Sequence, residues 1–331
     1  MKKNDFPYFL SMFLTGYMAG LRNLSSNTIK SYRDTFVILL EFLKLNHGIS
    51  PEKITTKYID KNIIEEFLIW LETSRNNSIS TRNQRLAGIH AFFRYLQGEE
   101  PEYLFHCQRI LAIPIKKAPK PVVSYLSEEA MKSILRMPDS STYDGRRDLT
   151  LLCTLYDTGA RAQELADLIV RNVRLSTPSV ISITGKGNKT RHVPIMKQTE
   201  NLLKTYIKEH KLDTLDMLDS SLFYSKLGKK LTRQGITYIV RKYSDTKELD
   251  KITPHIYRHS KAMHMTQADI NPVYIRDFLG HVDLKTTEIY SKSNMEMKRK
   301  ALEKIQNNVI PSFNVNWNAD SNLMAFLNSL K

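Results

Sequence analysis

Apolar residues recur every three or four positions through the first hundred residues, the pattern of helices that each bury one face. Phe6, Phe9, Leu10, Phe13, Leu14, Tyr17, Met18 and Leu21 mark the first stripe. Ser26-Asn27 caps a second helix carrying Ile29, Tyr32, Phe36, Val37, Leu40 and Leu43, which Gly48 closes. A third holds Ile59, Ile63, Ile64, Phe67, Leu68 and Leu71, and a fourth starts near Ser80 and buries Leu86, Ile89, Phe93 and Leu96. Arg82 and Arg85 fall on the polar side of the fourth helix's N-terminal end, which suits either a phosphate or groove contact or an ordinary solvated face.

The pattern breaks at IPIKKAPKPVV, residues 113–123, where three prolines and three lysines predict an extended basic linker. Lys116, Lys117 and Lys120 can lie there along a charged surface. Beyond it, Ser127 caps a helix with Glu128 and Glu129 in its first turn, and another helix runs through Leu149–Tyr156 to Gly159. VISIT, a turn at GKGN (185–188) and TRHVPI read as a β-hairpin with glycines where positive φ is needed, and Lys189 and Arg191 on it are candidate DNA contacts. Helices follow at 197–211, 234–243, from Pro254 onward and through Tyr274–Leu279. The expected fold is mainly α with a small β-hairpin (α+β), in four parts: a helical domain over 1–112, the linker, a mixed domain over 124–310 and a tail over 311–331.

Charge narrows the class of partner. The net charge is +15, yet residues 1–115 carry 14 Lys and Arg against 11 Asp and Glu, so the other 216 residues hold 35 against 23. That imbalance suits a polyanion such as nucleic acid. Two cysteines, Cys107 and Cys153, form no disulfide framework or C-x-x-C, which points to a reducing cytosol. The basic N-terminal tip does not lead into a signal peptide, because Asn4, Asp5 and Pro7 interrupt it and the apolar residues follow helical spacing. No apolar run reaches the ~18 residues of a membrane span.

Four separated stretches carry candidate chemistry. HIYRHSKAMH (255–264) follows Thr253-Pro254, a helix start, so His255, Arg258 and His259 share a face while His264 points away. His255 and His259 have the spacing of a helical zinc pair, but the glutamate of H-E-x-x-H is missing and a guanidinium lies between them, which favours an oxyanion. A structural polar face remains the plain alternative. TGARAQEL (158–165) sets Arg161 at a helix start with Glu164 one turn on, spaced to orient the guanidinium or to form an ordinary ion pair. GKGNKTR (185–191) puts Lys186 between two glycines on a hairpin tip, and LGHVDLKTTEIYSK (279–292) places Tyr290 nine residues after His281. No carboxylates group there for magnesium, so the set suits a metal-free site with no cofactor.

The order TGxR, GKGxKxR, HxxRH, LGH and then tyrosine resembles the tyrosine recombinases, the phage-integrase and Xer-like family, from about residue 5 to about 300. The resemblance implies a four-helix core-binding domain and a catalytic domain forming a C-shaped clamp on double-stranded DNA core sites with inverted repeats. Arg161 and Arg258 match the arginines that clamp the scissile phosphate, and His255 the first histidine. Lys186 matches the hairpin lysine, His281 the histidine-or-tryptophan position and Tyr290 the nucleophile, with Glu164 and His259 in supporting places. It further implies a bacterial, nucleoid-associated homotetramer on two DNA sites, and the tail offers Leu323, Met324, Phe326, Leu327 and Leu330 for docking on a neighbouring protomer or packing at home.

The chain departs from lambda-type integrases, whose extra N-terminal domain binds arm sites; here the helices begin almost at Met1, so arm-site binding is not expected. The tail beyond Tyr290 is longer than in compact Xer-like members, and a mobile-element integrase or transposase fits best. Type IB topoisomerase activity, or a DNA-binding regulator without catalysis, would share many of these residues.

Overall fold

The computed structural model describes residues 5–119, 123–185, 187–244, 251–280 and 329. The chain divides into two compact units between Pro121 and Val122. Among the described residues, no helix is long and apolar enough to cross a membrane.

The first unit is all helical. Helix α1 (Asp5–Ser11) widens into a π-helical stretch, Met12–Leu21, and is followed by α2 (Ser26–His47), α3 (Lys61–Thr73) and α4 (Ile79–Glu99). Side-chain caps start the last three. Ser25 Oγ, Asp60 Oδ1 and Ser78 Oγ accept from the backbone N–H of Thr28, Ile63 and Thr81 at 3.3, 2.9 and 3.2 Å. The cap of α2 is Ser25, one residue before the expected serine, because Ser25 still has extended backbone and Ser26 is already helical. At the centre, the Phe92 ring meets Phe6, Phe13 and Phe36 near edge-on, with centroids 5.6, 5.5 and 5.2 Å away.

A further helix, α5 (Leu104–Leu111), was not marked by periodicity. It buries only Cys107 and Ile110, too few positions to establish a period, and His90 Nε2 on α4 secures it by donating to the Ile110 carbonyl at 3.1 Å. The arginines at the start of α4 turn inward. Arg82 Nη1 donates to the Pro114 carbonyl at 3.3 Å with its Nε 3.7 Å from Glu72, and Arg85 Nη1 donates to the Ser31 carbonyl at 3.1 Å.

The second unit contains α6 (Glu128–Arg136), α7 (Tyr143–Thr158), α8 (Ala162–Ala166), α9 (Lys197–Glu209), α10 (Arg233–Lys242), α11 (Pro254–Gln267) and α12 (Pro272–Leu279). Its sheet has three antiparallel strands in order, β1 (Val173–Arg174), β2 (Val180–Thr184) and β3 (Thr190–Pro194). The hairpin expected at VISIT and TRHVPI is β2 and β3, registered Ile181 to Val193 and Ile183 to Arg191. Strand β1 spans two residues, too short to show alternation. Helix α7 starts six residues before the apolar run at Leu149, where Thr142 Oγ1 accepts from the Gly145 N–H at 3.0 Å.

The core of this unit is built around Leu151, Leu152, Leu155, Ile181, Ile183, Leu203 and Tyr257, all 0–1% exposed. Helix α11 crosses it and also holds the start of the unit. Ser260 Oγ accepts from the Leu126 N–H at 2.8 Å, and His264 Nε2 donates to the Leu126 carbonyl at 2.9 Å. That fixes the tautomer, so His264 Nδ1 accepts from the Tyr156 hydroxyl at 2.8 Å. The third histidine of HIYRHSKAMH is thus a buried structural link on the far side of the helix from His255.

Candidate active site

Helix α7 ends at Gly159, whose φ of +56° is the left-handed conformation that closes a helix, and two residues later Arg161 caps α8. Glu164 holds it twice. The Arg161 backbone N–H donates to Glu164 Oε2 at 2.9 Å, and its Nη1 donates to Oε1 at 2.6 Å. The guanidinium is therefore fixed at its base while its side chain stays 37% exposed, free to meet an anion.

Glu164, itself 6% exposed, takes a second arginine. Arg191 Nη2 donates to Oε2 at 2.8 Å, and Arg191 Nε donates to the Phe278 carbonyl at 3.0 Å. Burial alone would raise the Glu164 pKa, but the hydrogen bonds and charges from Arg191 and Arg161 outweigh it and keep the carboxyl below its ordinary value. Arg191 was expected on DNA. Its side chain is 11% exposed, and the reason is the register of β3: the alternation that buries Val193 and Ile195 turns Arg191 to the same inner side.

On α11, Arg258 is 3% exposed and joins two distant segments. Its Nη1 donates to the Gly159 carbonyl and its Nη2 to the Leu279 carbonyl, each at 2.7 Å. His255 lies one turn before it and is open to solvent. Desolvation by neighbouring atoms, then the positive charges of Arg258, Arg233 and Arg161, push the His255 pKa below that of a free imidazole. The Arg258 bond to Gly159 brings α11, with His255 one turn before Arg258, up to the turn that carries Arg161 two residues on. His259, with its ring centroid 6.5 Å from that of His255, is held lower still, to about 4, by desolvation and then by His255 and Arg258. Among the described residues, no three His, Cys, Asp or Glu side chains gather as a metal site.

The motif glycines make room for these side chains. A Cβ at Gly185 would come 3.0 Å from Glu164 Oε1, one at Gly280 3.0 Å from Arg191 Cδ, and one at Gly159 2.7 Å from Leu279 Cδ2. Gly185 and Gly280 thus border the Arg191–Glu164 pair from two distant segments, while Gly159 lies against Leu279.

Residues 124–297 match the phage integrase family, and residues 14–102 match the phage integrase N-terminal SAM-like domain. A putative integrase/recombinase, y4rC, of Sinorhizobium fredii is 35% identical over 98% of this chain and 98% of its own length. The chain belongs to the phage integrase family. It is a tyrosine site-specific recombinase, similar also to tyrosine recombinase XerC of Roseiflexus castenholzii, at 33% identity over 85% of this chain and 87% of the relative. Its fold is shared with the XerH recombinase bound to a palindromic difH substrate (TM-score 0.69, 22% identity, 85% of this chain and 81% of that one). It is shared too with the Tn1549 transposon integrase in complex with transposon right end DNA (TM-score 0.68, 16% identity, 90% and 99%).

In this tyrosine recombinase the hairpin tip is closed by the Gly185 N–H donating to the Lys189 carbonyl at 2.9 Å, with Gly187 and Asn188 at φ of 77° and 57°. Lys189 and Lys117 are exposed, whereas Lys116, also exposed, pairs with Glu72 at 2.7 Å. Lys186, His281, Tyr290 and Lys120 lie outside the described residues, as do Leu323, Met324, Phe326, Leu327 and Leu330. Arg233 sits in none of the four motifs, so nothing in the sequence marks it. Its helix, α10, packs on α8 and α11, and that packing brings its charge to His255.

Proposed function

We propose that this recombinase cleaves and rejoins double-stranded DNA at core sites with inverted repeats, through a covalent 3′-phosphotyrosyl intermediate on Tyr290. Arg161 and Arg258 bind the non-bridging oxygens of the scissile phosphate and offset the charge that grows on them, usually the largest contribution in such sites. The Tyr290 hydroxyl oxygen attacks phosphorus, the bond to the 5′ oxygen breaks, and Lys186 gives that oxygen its proton. His281 hydrogen-bonds the same phosphate, Glu164 holds Arg161, and His259 stands behind His255.

At pH 7 only about one free tyrosine in a thousand is ionised, so a proton acceptor is needed. His255 fits that role, because a pKa below the ordinary imidazole value leaves it neutral and able to accept. No external energy source is required, since the phosphotyrosyl ester retains the energy of the phosphodiester and a 5′ hydroxyl from another strand reverses the step. The observation that carries this reading is the approach of two segments distant in sequence, α11 with His255 and Arg258 and the turn before α8 with Arg161, joined by the Arg258 bond to the Gly159 carbonyl.

The proposal extends to the assembly. The helical domain over 1–112 and the linker, with Lys116, Lys117 and Lys120, grip the core site, and Lys189 meets DNA beside Lys186. Four protomers hold two sites, with the tail over 311–331 docking between them, in the cytoplasm of a bacterial cell. The relatives fit a mobile-element role. The test uses a suicide substrate that traps the covalent adduct. Tyr290→Phe should bind DNA with unchanged affinity and give no adduct; an undiminished adduct would move the nucleophile elsewhere.

A further inference from the structure

We infer that Arg191 is a positioning residue: through Glu164 it sets the orientation of Arg161, and through the Phe278 carbonyl it ties that orientation to the end of α12. This rests on the reading of Arg161 as a phosphate clamp. Glu164 has two oxygens and divides them. Oε1 takes the Arg161 side chain at 2.6 Å, while Oε2 takes both the Arg161 backbone N–H at 2.9 Å and Arg191 Nη2 at 2.8 Å.

The carboxylate therefore cannot rotate to favour Arg161 without breaking the bond to Arg191. Arg191 cannot follow it, because its Nε is committed to the Phe278 carbonyl at 3.0 Å. Arg258 holds the next carbonyl, that of Leu279, at 2.7 Å. Two guanidinium groups thus grip successive carbonyls at the end of one helix, two residues ahead of His281. The surroundings leave little slack: Arg191 is 11% and Glu164 6% exposed, and a Cβ at Gly185 or Gly280 would stand 3.0 Å from Glu164 Oε1 or Arg191 Cδ and push it aside. A planar fork is what this geometry uses, since one guanidinium edge serves a carboxylate and a carbonyl in fixed directions that a lysine cannot reproduce.

The test is Arg191→Lys, which keeps a cation beside Glu164 and so keeps the fold, in the full-length protein. Single-turnover cleavage of the suicide substrate should slow by roughly tenfold or more, as expected when a clamp is misplaced by a fraction of an ångström. The melting temperature and the Kd for DNA should hold. The loss should vanish when Arg191→Lys is placed in an Arg161→Lys background, because there is no fixed fork left to misplace. An equal loss in both backgrounds overturns the inference, as does weaker DNA binding at an unchanged cleavage rate, which would make Arg191 a DNA contact. If Arg161→Lys alone leaves cleavage intact, the phosphate-clamp reading of Arg161 falls, and this inference with it.

Discussion

Alanine at Gly159 tests how closely Arg161 and Arg258 depend on the turn after α7. Gly159 has φ of +56°, and Gly228, on a loop of the same unit, has φ of +69°. An alanine at either position bears the left-handed penalty of about 1–2 kcal/mol. At Gly228 nothing lies within 4 Å of the added Cβ, so the cost should end there. At Gly159 the Cβ would stand 2.7 Å from Leu279 Cδ2, and Leu279 is 0% exposed, so it cannot swing aside into solvent. Overpacking of that kind adds about 1–3 kcal/mol, for roughly 2–5 in all. The strain also falls on the carbonyl that receives Arg258 Nη1 at 2.7 Å. Urea unfolding of the two variants side by side cancels the left-handed term, and cleavage of a suicide substrate reads the second effect. Gly159→Ala should be the less stable by at least about 1 kcal/mol and should cleave more slowly. Equal stability losses, or normal cleavage by a folded Gly159→Ala protein, would refute the packing argument.

His264→Ala orphans the Leu126 carbonyl and the Tyr156 hydroxyl together, so it should cost about 2–4 kcal/mol in urea titration; a loss below about 0.5 would show that water replaces both bonds. In the DNA-free protein the His255 imidazole should titrate below 6.5 by NMR, staying neutral at pH 7 and gaining its proton only as pH falls through that lower midpoint. Arg233→Gln should raise the midpoint, and a midpoint above 6.5 in the parent would remove His255 as proton acceptor. Burial pushes Cys107 up to about 11 and Cys153 up to about 12, so neither should be alkylated by iodoacetamide at pH 8 until urea unfolds the chain.

The helices were legible because each buries a face at helical spacing: the stripe from Ile63 to Leu71 is α3, and its residues are buried. Alternation located β2 and β3, and the same alternation, carried two residues back from Val193, turns Arg191 inward with it. What sequence could not supply was the partner of each polar group. Arg82 and Arg85 looked solvated on a helical wheel, but the groups they bond, the Pro114 and Ser31 carbonyls, come from segments far along the chain. Arg233 is invisible for the same reason: its relation to His255 exists only once α10 packs on α8 and α11. No single stretch distinguishes an anion clamp from a surface ion pair; only the four together do.

The grip on Leu126 has a mechanical corollary. Its N–H and carbonyl are held one helical turn apart on α11, the helix that also carries His255 and Arg258. Any displacement of Leu126 is therefore passed directly to that helix through both hydrogen bonds. The entrance to the second unit and the helix bearing His255 and Arg258 are pinned together at one residue.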